Sequence, residues 1–181
     1  MHKQLLLLAV FVLGVLFGFL AFSSMHVEEK SGCINGEIEY IFSPDAEDDI
    51  IGVIRSAGET IDLEMYLFNY EPLADELIRA RERGVRVRVI LEPRLFGDNP
   101  NLEMMEYLRA GGLEVRWASL EYKLTHTKAM IVDGKRVLVG STNWSYSALK
   151  KNREYSVLID DGGVAREFTE NFELDWGKAE V

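Results

Sequence analysis

One stretch of this chain concentrates side chains that can carry out phosphoryl chemistry. His126 and Lys128 stand two residues apart, and Ser141 and Asn143 follow after a short interval. An imidazole acts as a nucleophile or as an acid near neutral pH, whereas an ammonium, an amide and a hydroxyl donate hydrogen bonds to phosphate oxygens. The four residues, called here the phosphoryl cluster, therefore predict cleavage of a phosphodiester bond.

The phosphoryl cluster needs a hairpin to bring its two halves together. Two predicted strands flank Asp133-Gly134, a dipeptide typical of a tight hairpin turn. A two-residue turn pairs Val132 with Lys135, and alternate residues of each strand then share a face. With a turn of two or four residues the phosphoryl cluster converges on one face, whereas a three-residue turn breaks this arrangement.

The elements around the hairpin follow an alternating pattern of strands and helices. That pattern predicts an α/β fold, with a mixed sheet flanked by helices. Ser43 or Asp45 is the expected cap of the first helix. Besides the hairpin, the expected strands are 37–42, 60–68, 85–91, 113–117 and 154–159, and the expected helices are 45–57, 71–83, 100–110 and 164–176.

Charge is unevenly distributed along the 181 residues. The chain carries 20 Lys+Arg against 30 Asp+Glu, a net charge of −10, which argues against broad, nonspecific coating of nucleic acid. Residues 122–153 nevertheless carry seven basic side chains and one acidic one. Four of these basic side chains are candidate phosphate contacts, although a solvated rim explains them equally well. They are Lys123, Lys150, Lys151 and Arg153.

The composition excludes two classes of protein. With 48% hydrophobic residues the chain is not intrinsically disordered, and with a single cysteine it is not a disulfide-stapled miniprotein. The phosphoryl cluster has no second histidine, cysteine pair or carboxylate group at ligand spacing nearby, so no metal is predicted.

The amino terminus predicts a membrane anchor. Residues 5–22 hold no charged side chain and span roughly 27 Å as a helix, near the thickness of a bilayer core. A lysine precedes this span and two glutamates follow it, which favours an uncleaved, single-pass anchor with the domain outside the cytosol. Cleavage of a signal peptide, followed by secretion, is the alternative. The expected segments are an n-region (1–4), the anchor (5–22), a linker (23–36) with Cys33, and a folded domain (37–181).

The phosphoryl cluster resembles the H-x-K-x4-D-x6-G-S-x-N signature of the phospholipase D superfamily. Glu154 matches an acidic residue that follows it, and the resemblance extends over about 38–176. It implies a phospholipase D-like α/β sandwich that needs no cofactor and forms a covalent phosphohistidine at His126. Glu154 would orient an imidazole of its own or the partner chain, whereas the turn position alone explains Asp133. The matching residues are His126, Lys128, Asp133, Gly140, Ser141 and Asn143.

The resemblance also implies that the histidine of a second motif protonates the leaving group, and that histidine must come from a second chain. His126 is the only histidine of residues 37–181, since the others are His2 and His26. Two-histidine chemistry therefore predicts a twofold homodimer with a shared active site. Single-motif members of the superfamily, such as small bacterial endonucleases and membrane-anchored mitochondrial cardiolipin hydrolases, are similar in this respect.

These observations lead to three hypotheses about function. The first is a metal-independent phosphodiesterase, and the local basic stretch favours DNA or RNA as its substrate. The runner-up substrate is a membrane phospholipid, because an anchor would hold the site near head groups. A catalytically silent module that only binds phosphate is the third hypothesis, and the complete signature argues against it.

Overall fold

A computed structural model of the chain describes residues 34–95, 97 and 99–181. These residues form a seven-stranded sheet with helices on both faces, as the predicted α/β class requires. The strands are β1 (Glu37–Phe42), β2 (Thr60–Met65), β3 (Arg86–Leu91), β4 (Glu114–Trp117), β5 (Lys128–Val132), β6 (Arg136–Gly140) and β7 (Tyr155–Asp160). The helices are α1 (Glu47–Arg55), α2 (Glu71–Glu82), α3 (Pro100–Ala110), α4 (Tyr146–Lys150) and α5 (Gly162–Lys178).

The sheet is mixed, and its order is β1-β7-β6-β5-β2-β3-β4. The pairs β2–β3 and β3–β4 are parallel, whereas the other neighbours are antiparallel. Met65 at the end of β2 therefore pairs with Lys128 at the start of β5, and Gly140 at the end of β6 pairs with Ser156 near the start of β7. Four central strand ends thus meet at one edge of the sheet, where the phosphoryl cluster lies.

Two apolar layers hold the sheet in place. On one face, Leu63 of β2 and Met130 of β5 share a core with Leu77 of α2 and residues of α1 and α3. On the other face, Ile131 of β5 packs with Phe172 of α5 and its neighbours. Each fully buried side chain of this size stabilises the fold by about 1.5–3 kcal/mol. The central strand β5 is buried on both faces, so the residues at its ends are rigidly positioned.

Strand β2 is shorter than its sequence pattern predicts. It ends at Met65 rather than at residue 68. Beyond that point the Tyr66 N–H donates to the Thr127 carbonyl, and the Phe68 N–H donates to Oδ1 of Asn101. Hydrogen bonds to a loop and a side chain therefore replace the ladder, which the alternation of apolar residues does not reveal.

The helix starts also differ from the prediction. The first helix begins at Glu47 after Ala46, without a side-chain cap, because Asp45 has a φ of 82° and donates its N–H to the Leu149 carbonyl. Neither Ser43 nor Asp45 is therefore its cap. The last helix begins two residues earlier than predicted, at Gly162. The short helix α4 was not predicted.

The predicted n-region (1–4), the membrane anchor (5–22), Cys33 and most of the linker lie outside the described residues. The anchor accordingly stays a prediction. Within the part of the chain that the structure describes, none of the helices is both long and apolar enough to cross a bilayer.

Candidate active site

The hairpin that carries the phosphoryl cluster has a different register from the predicted one. The Lys135 N–H closes a tight turn onto the Val132 carbonyl at 3.0 Å, but Val132 pairs with Arg136 in the ladder. Lys135 is therefore an extra residue, as in a β-bulge, and three residues separate the strands. The prediction that Val132 pairs with Lys135 is wrong, and so is the argument that alternation alone aligns the phosphoryl cluster.

The path of the chain after β6 nevertheless brings the two halves of the phosphoryl cluster together. Gly140 ends the strand, and a Cβ there would lie 2.3 Å from the Tyr155 carbonyl oxygen and from the Ser156 hydroxyl. The next residue, Ser141, donates its N–H to that same Tyr155 carbonyl. The close approach that glycine permits thus brings Ser141 beside the start of β7, where Glu154 lies.

His126 and Lys128 lie beside Tyr66 at the start of β5. The His126 side chain is exposed, and its ring centroid is 4.4 Å from that of Tyr66. Lys128 is only 8% exposed. Its Nζ donates to the His126 carbonyl at 2.8 Å and lies 4.9 Å from the Tyr66 ring centroid. The tyrosine ring therefore fixes both the nucleophile candidate and the cation.

The surroundings lower the pKa of both groups. Desolvation, together with the charge of Lys128, lowers the pKa of His126 below its ordinary value of about 6.5. Burial lowers the pKa of Lys128 to about 8, and the negative charge of Glu154 partly opposes this. At pH 7 the site therefore presents a neutral imidazole beside an ammonium group, the combination that attack on a phosphate diester requires.

Glu154 is hydrogen-bonded on the Ser141 side of the site, and its charge acts on Lys128 on the other side. Its Oε2 accepts a 2.6 Å hydrogen bond from the Ser141 hydroxyl, and its Oε1 accepts one of 3.1 Å from Nδ2 of Asn152. The Tyr155 N–H donates to the same Ser141 hydroxyl. The structure thus brings together His126, Lys128, Ser141 and Glu154.

Asn143 lies in the loop after Ser141, with a partly unsatisfied side chain. Its Oδ1 is buried and has no hydrogen-bond partner within the described residues. The residues on either side are well anchored. The Thr142 and Ser156 hydroxyls lie 2.9 Å apart, and Trp144 packs edge-on against Phe68. The loop therefore holds an amide with unused hydrogen-bonding capacity.

Asp133 lies at the opposite end of β5 from His126. Its carboxylate accepts hydrogen bonds from the backbone N–H groups of Gly58, Glu59 and Thr60 at 2.7–2.9 Å. These bonds lower the pKa of Asp133 despite its partial burial. The structure therefore places this signature residue where it supports the turn, away from the phosphoryl cluster.

The four candidate phosphate contacts have different surroundings. Lys123 is exposed. Lys150 forms a 2.6 Å ion pair with Glu47, which raises its pKa. Lys151 lies 5.0 Å from the Tyr146 ring centroid, and the Arg153 guanidinium lies 5.4 Å from that of Tyr155. Arg153 directly precedes Glu154 in the chain, whereas the ion pair with Glu47 occupies Lys150.

Two buried residues that the sequence analysis missed position the site. Glu92 is fully buried and accepts the Thr125 N–H at 2.6 Å while it pairs with Arg94. Nδ2 of Asn101, also fully buried, donates to the Tyr66 and Glu92 carbonyls. These bonds fix the segments on either side of His126. A polar residue directly after a buried strand, as Glu92 is after β3, was the available signal.

Comparisons with known proteins show which family shares this sequence and fold. A family model described as "Cardiolipin synthase, PLD-like domain" matches residues 50–176. The chain is 31% identical to mouse mitochondrial cardiolipin hydrolase over 127 residues, 70% of this chain and 56% of that protein. It is also 31% identical to a phospholipase D of Rickettsia prowazekii over 127 residues, 68% of this chain and 58% of that protein.

A solved structure shows the same fold over almost its full length. The phospholipase D family member Nuc from Salmonella typhimurium superimposes with a TM-score of 0.75 at 27% identity, covering 81% of this chain and 97% of Nuc. The chain spans little more than half the length of the two curated relatives named above. On the matched family region and the shared fold, this chain belongs to the phospholipase D superfamily.

Proposed function

We propose that this chain is a phosphodiesterase in which His126 is the nucleophile. The observation that carries the proposal is the exposed imidazole of His126, whose pKa is lowered, beside the buried ammonium of Lys128 at the edge where four strand ends meet. Lys128 and Asn143 would hold the phosphate oxygens, and Ser141 would present its hydroxyl from the hydrogen bond to Glu154.

The proposed reaction has two steps. In the first, a ring nitrogen of His126 forms a bond to phosphorus while the bond from phosphorus to the leaving oxygen breaks, and that oxygen takes a proton from an acid. In the second, water forms a bond to phosphorus and the histidine–phosphorus bond breaks. The water proton passes to the group that acted as the acid, so the enzyme returns to its starting state.

We propose that the acid is the partner's His126 in a twofold homodimer. His126 is the single histidine of residues 34–181, so a second imidazole requires a second chain. The pKa of His126 is lowered within a single chain, so the acid role requires a carboxylate beside that imidazole in the dimer; Glu154 would provide it, raise the pKa and favour the protonated form.

The dimer proposal can be tested with mixed dimers. Wild-type chain is co-refolded or co-expressed with an increasing excess of His126→Ala chain. If each site needs both histidines, activity falls with the square of the wild-type fraction. A fall in direct proportion to that fraction would show that each chain is catalytically independent.

We favour nucleic acid as the substrate. Lys123, Lys151 and Arg153 are exposed in the basic stretch, and Tyr155 is 57% exposed next to Glu154, where a base could stack. A phospholipid is the second candidate, favoured by the proposed anchor over residues 5–22 and by the names of the two curated relatives. A silent phosphate-binding module remains the third.

One assay separates these alternatives. The full chain in mild detergent is incubated with single-stranded DNA, RNA and cardiolipin vesicles, each with and without EDTA. We expect cleavage of a nucleic acid that EDTA does not prevent. Cleavage of cardiolipin alone would assign the lipid, and loss of activity with EDTA that a divalent metal restores would exclude the metal-free mechanism. Binding without turnover on all three would favour the silent module.

A further inference from the structure

A cavity lies between α5 and the sheet, on the face opposite the α1–α3 core. Its volume is about 350 Å³, within the size range of small-molecule sites. Most of its wall is apolar, and it contains three carboxylates. The lining residues that matter here are Glu64 of β2, Ala129 and Ile131 of β5, and Glu167, Phe168 and Asp175 of α5.

Glu64 is the exception among the buried acidic side chains. It is 9% exposed, and none of the hydrogen bonds or ion pairs found in the described residues reaches its carboxylate. The three other buried carboxylates of that part of the chain each pair with arginine. Asp62 pairs with Arg88, Glu76 with Arg55 and Arg79, and Glu92 with Arg94.

The surroundings of Glu64 add negative charge. Asp175 faces the same cavity from α5, with Tyr122 and Lys178 near it, and Glu167 lies nearer the start of that helix. On the neighbouring strand, Arg88 is already engaged by Asp62 and by Glu173 of α5. Burial, followed by the charge of Asp175, raises the pKa of Glu64 to about 7. A cation in the cavity would relieve this cost.

The walls restrict the kind of cation. A metal ion or a bare ammonium is strongly hydrated and would lose that hydration against Ala129, Ile131 and Phe168. An alkylated ammonium is weakly hydrated, since its charge is spread over carbon substituents that apolar walls accept. Aromatic faces attract such cations, and the half-buried Phe168 ring is available on the cavity wall.

We propose that the cavity between α5 and the sheet binds an alkylated ammonium group, with Glu64 as its counter-ion and Phe168 against its alkyl groups. This site lies outside the phosphoryl cluster, and its occupation does not depend on phosphodiesterase activity.

Calorimetric titration of the full chain tests the site with choline as the probe. The control ligand is 3,3-dimethylbutan-1-ol, which has the shape of choline but no charge. At pH 8, where Glu64 is largely ionised, we expect choline to bind at least tenfold more tightly than the alcohol. Equal binding of the two would show an apolar cavity without a cation site, and absence of choline binding would overturn the proposal.

Two matched substitutions test the counter-ion. Glu64→Gln keeps the size of the side chain and removes its charge, so choline binding should weaken at least tenfold. Glu170→Gln removes an exposed charge from α5, outside the lining of this cavity, and should leave binding unchanged. Unchanged binding in Glu64→Gln would exclude the assigned role.

A second variant covers the case in which Glu64→Gln does not fold, which circular dichroism would show. Phe168→Leu retains an apolar wall without the aromatic face and should weaken choline binding severalfold while the alcohol is unaffected. Equal effects on both ligands would contradict the proposal. Glycerophosphocholine distinguishes the source of the ligand: binding as tight as that of choline indicates a lipid head group, and selective binding of choline indicates a free ammonium compound.

Discussion

The two ends of strand β5 differ in how fully their polar groups are satisfied. At the turn end, the Asp133 carboxylate accepts three backbone N–H groups from residues 58–60. At the other end, Lys128 is buried with one carbonyl partner and a depressed pKa, and the buried Oδ1 of Asn143 has no partner among the described residues. One end is complete without a ligand. At the other end the remaining donor positions of the Lys128 ammonium can reach a phosphate, whereas the Asn143 Oδ1 is an acceptor that needs a donor.

Removal of the His126 side chain, at the incomplete end of β5, should reduce activity the most. His126→Ala eliminates the proposed nucleophile, so kcat on a phosphodiester should fall on the order of 10³-fold or more. Because the side chain is exposed, the melting temperature should change little. His26→Ala, outside residues 34–181, is the control and should retain activity. Retained activity in His126→Ala would remove this residue from the mechanism.

Glu154→Gln should have the next largest effect. The amide can still accept the Ser141 hydroxyl, but it no longer supplies the negative charge that opposes the pKa shift of Lys128 and that we propose acts on an imidazole across the dimer. We expect kcat to fall on the order of 10²-fold with little change in KM. A change confined to KM would indicate instead that Glu154 acts only in substrate binding.

Asp133→Asn tests the turn end of the strand. Asparagine tolerates the φ of 54° at this position, so the change removes the charge without adding backbone strain. We expect the free energy of unfolding to fall by at most roughly 1.5 kcal/mol, because the carboxylate is partly exposed. The kcat of the folded enzyme should not change. Denaturant melts at pH 7 measure this loss.

The sign of the pH dependence sharpens the test of Asp133. Its pKa is lowered in the folded state, so its contribution to stability is present above its unfolded pKa of about 4 and is lost as the pH falls through the lower, folded value. The difference between wild type and Asp133→Asn should therefore shrink in acid. A constant difference would mean that the carboxylate charge is not what stabilises the turn.

The two ends of β5 also differ in how far the sequence predicts them. Strand and helix order follow from alternation and apolar periodicity, and the residues of the phosphoryl cluster follow from their types and spacing. The hairpin register cannot be predicted from the local pattern. The bulge at Lys135 depends on the anchoring of Asp133 by residues 58–60, which are distant in sequence. A local pattern carries no information about such a bond.

The supporting residues were hidden for a similar reason. Asn101 lies in the first turn of α3, a position where polar residues are common for local reasons. Only the folded chain shows that its amide donates to the Tyr66 and Glu92 carbonyls. Glu64 likewise reads as the polar member of an alternating strand, yet α5 covers it. Burial by an element more than a hundred residues away cannot be read from the strand itself.

The loss of activity at alkaline pH should follow the deprotonation of Lys128. This prediction has the smallest expected effect near neutral pH. Lys128 has a folded pKa of about 8, well below the ordinary lysine value, so its ammonium is lost as the pH rises through 8. If that charge holds the phosphate, kcat/KM should fall about tenfold for each further pH unit. The lowered pKa of His126 leaves the nucleophilic imidazole neutral across this range, so only loss of the proton from the partner's acidic imidazole would add to the decline. Lys135→Ala, at the turn end of the same hairpin, should leave the profile unchanged, because Lys135 is exposed and its nearest acid is Glu59. A profile that stays flat to pH 10 would show that the buried ammonium at the start of β5 is not the group that binds the phosphate, and the contrast between the two ends of the strand would then rest on His126 and Asn143 alone.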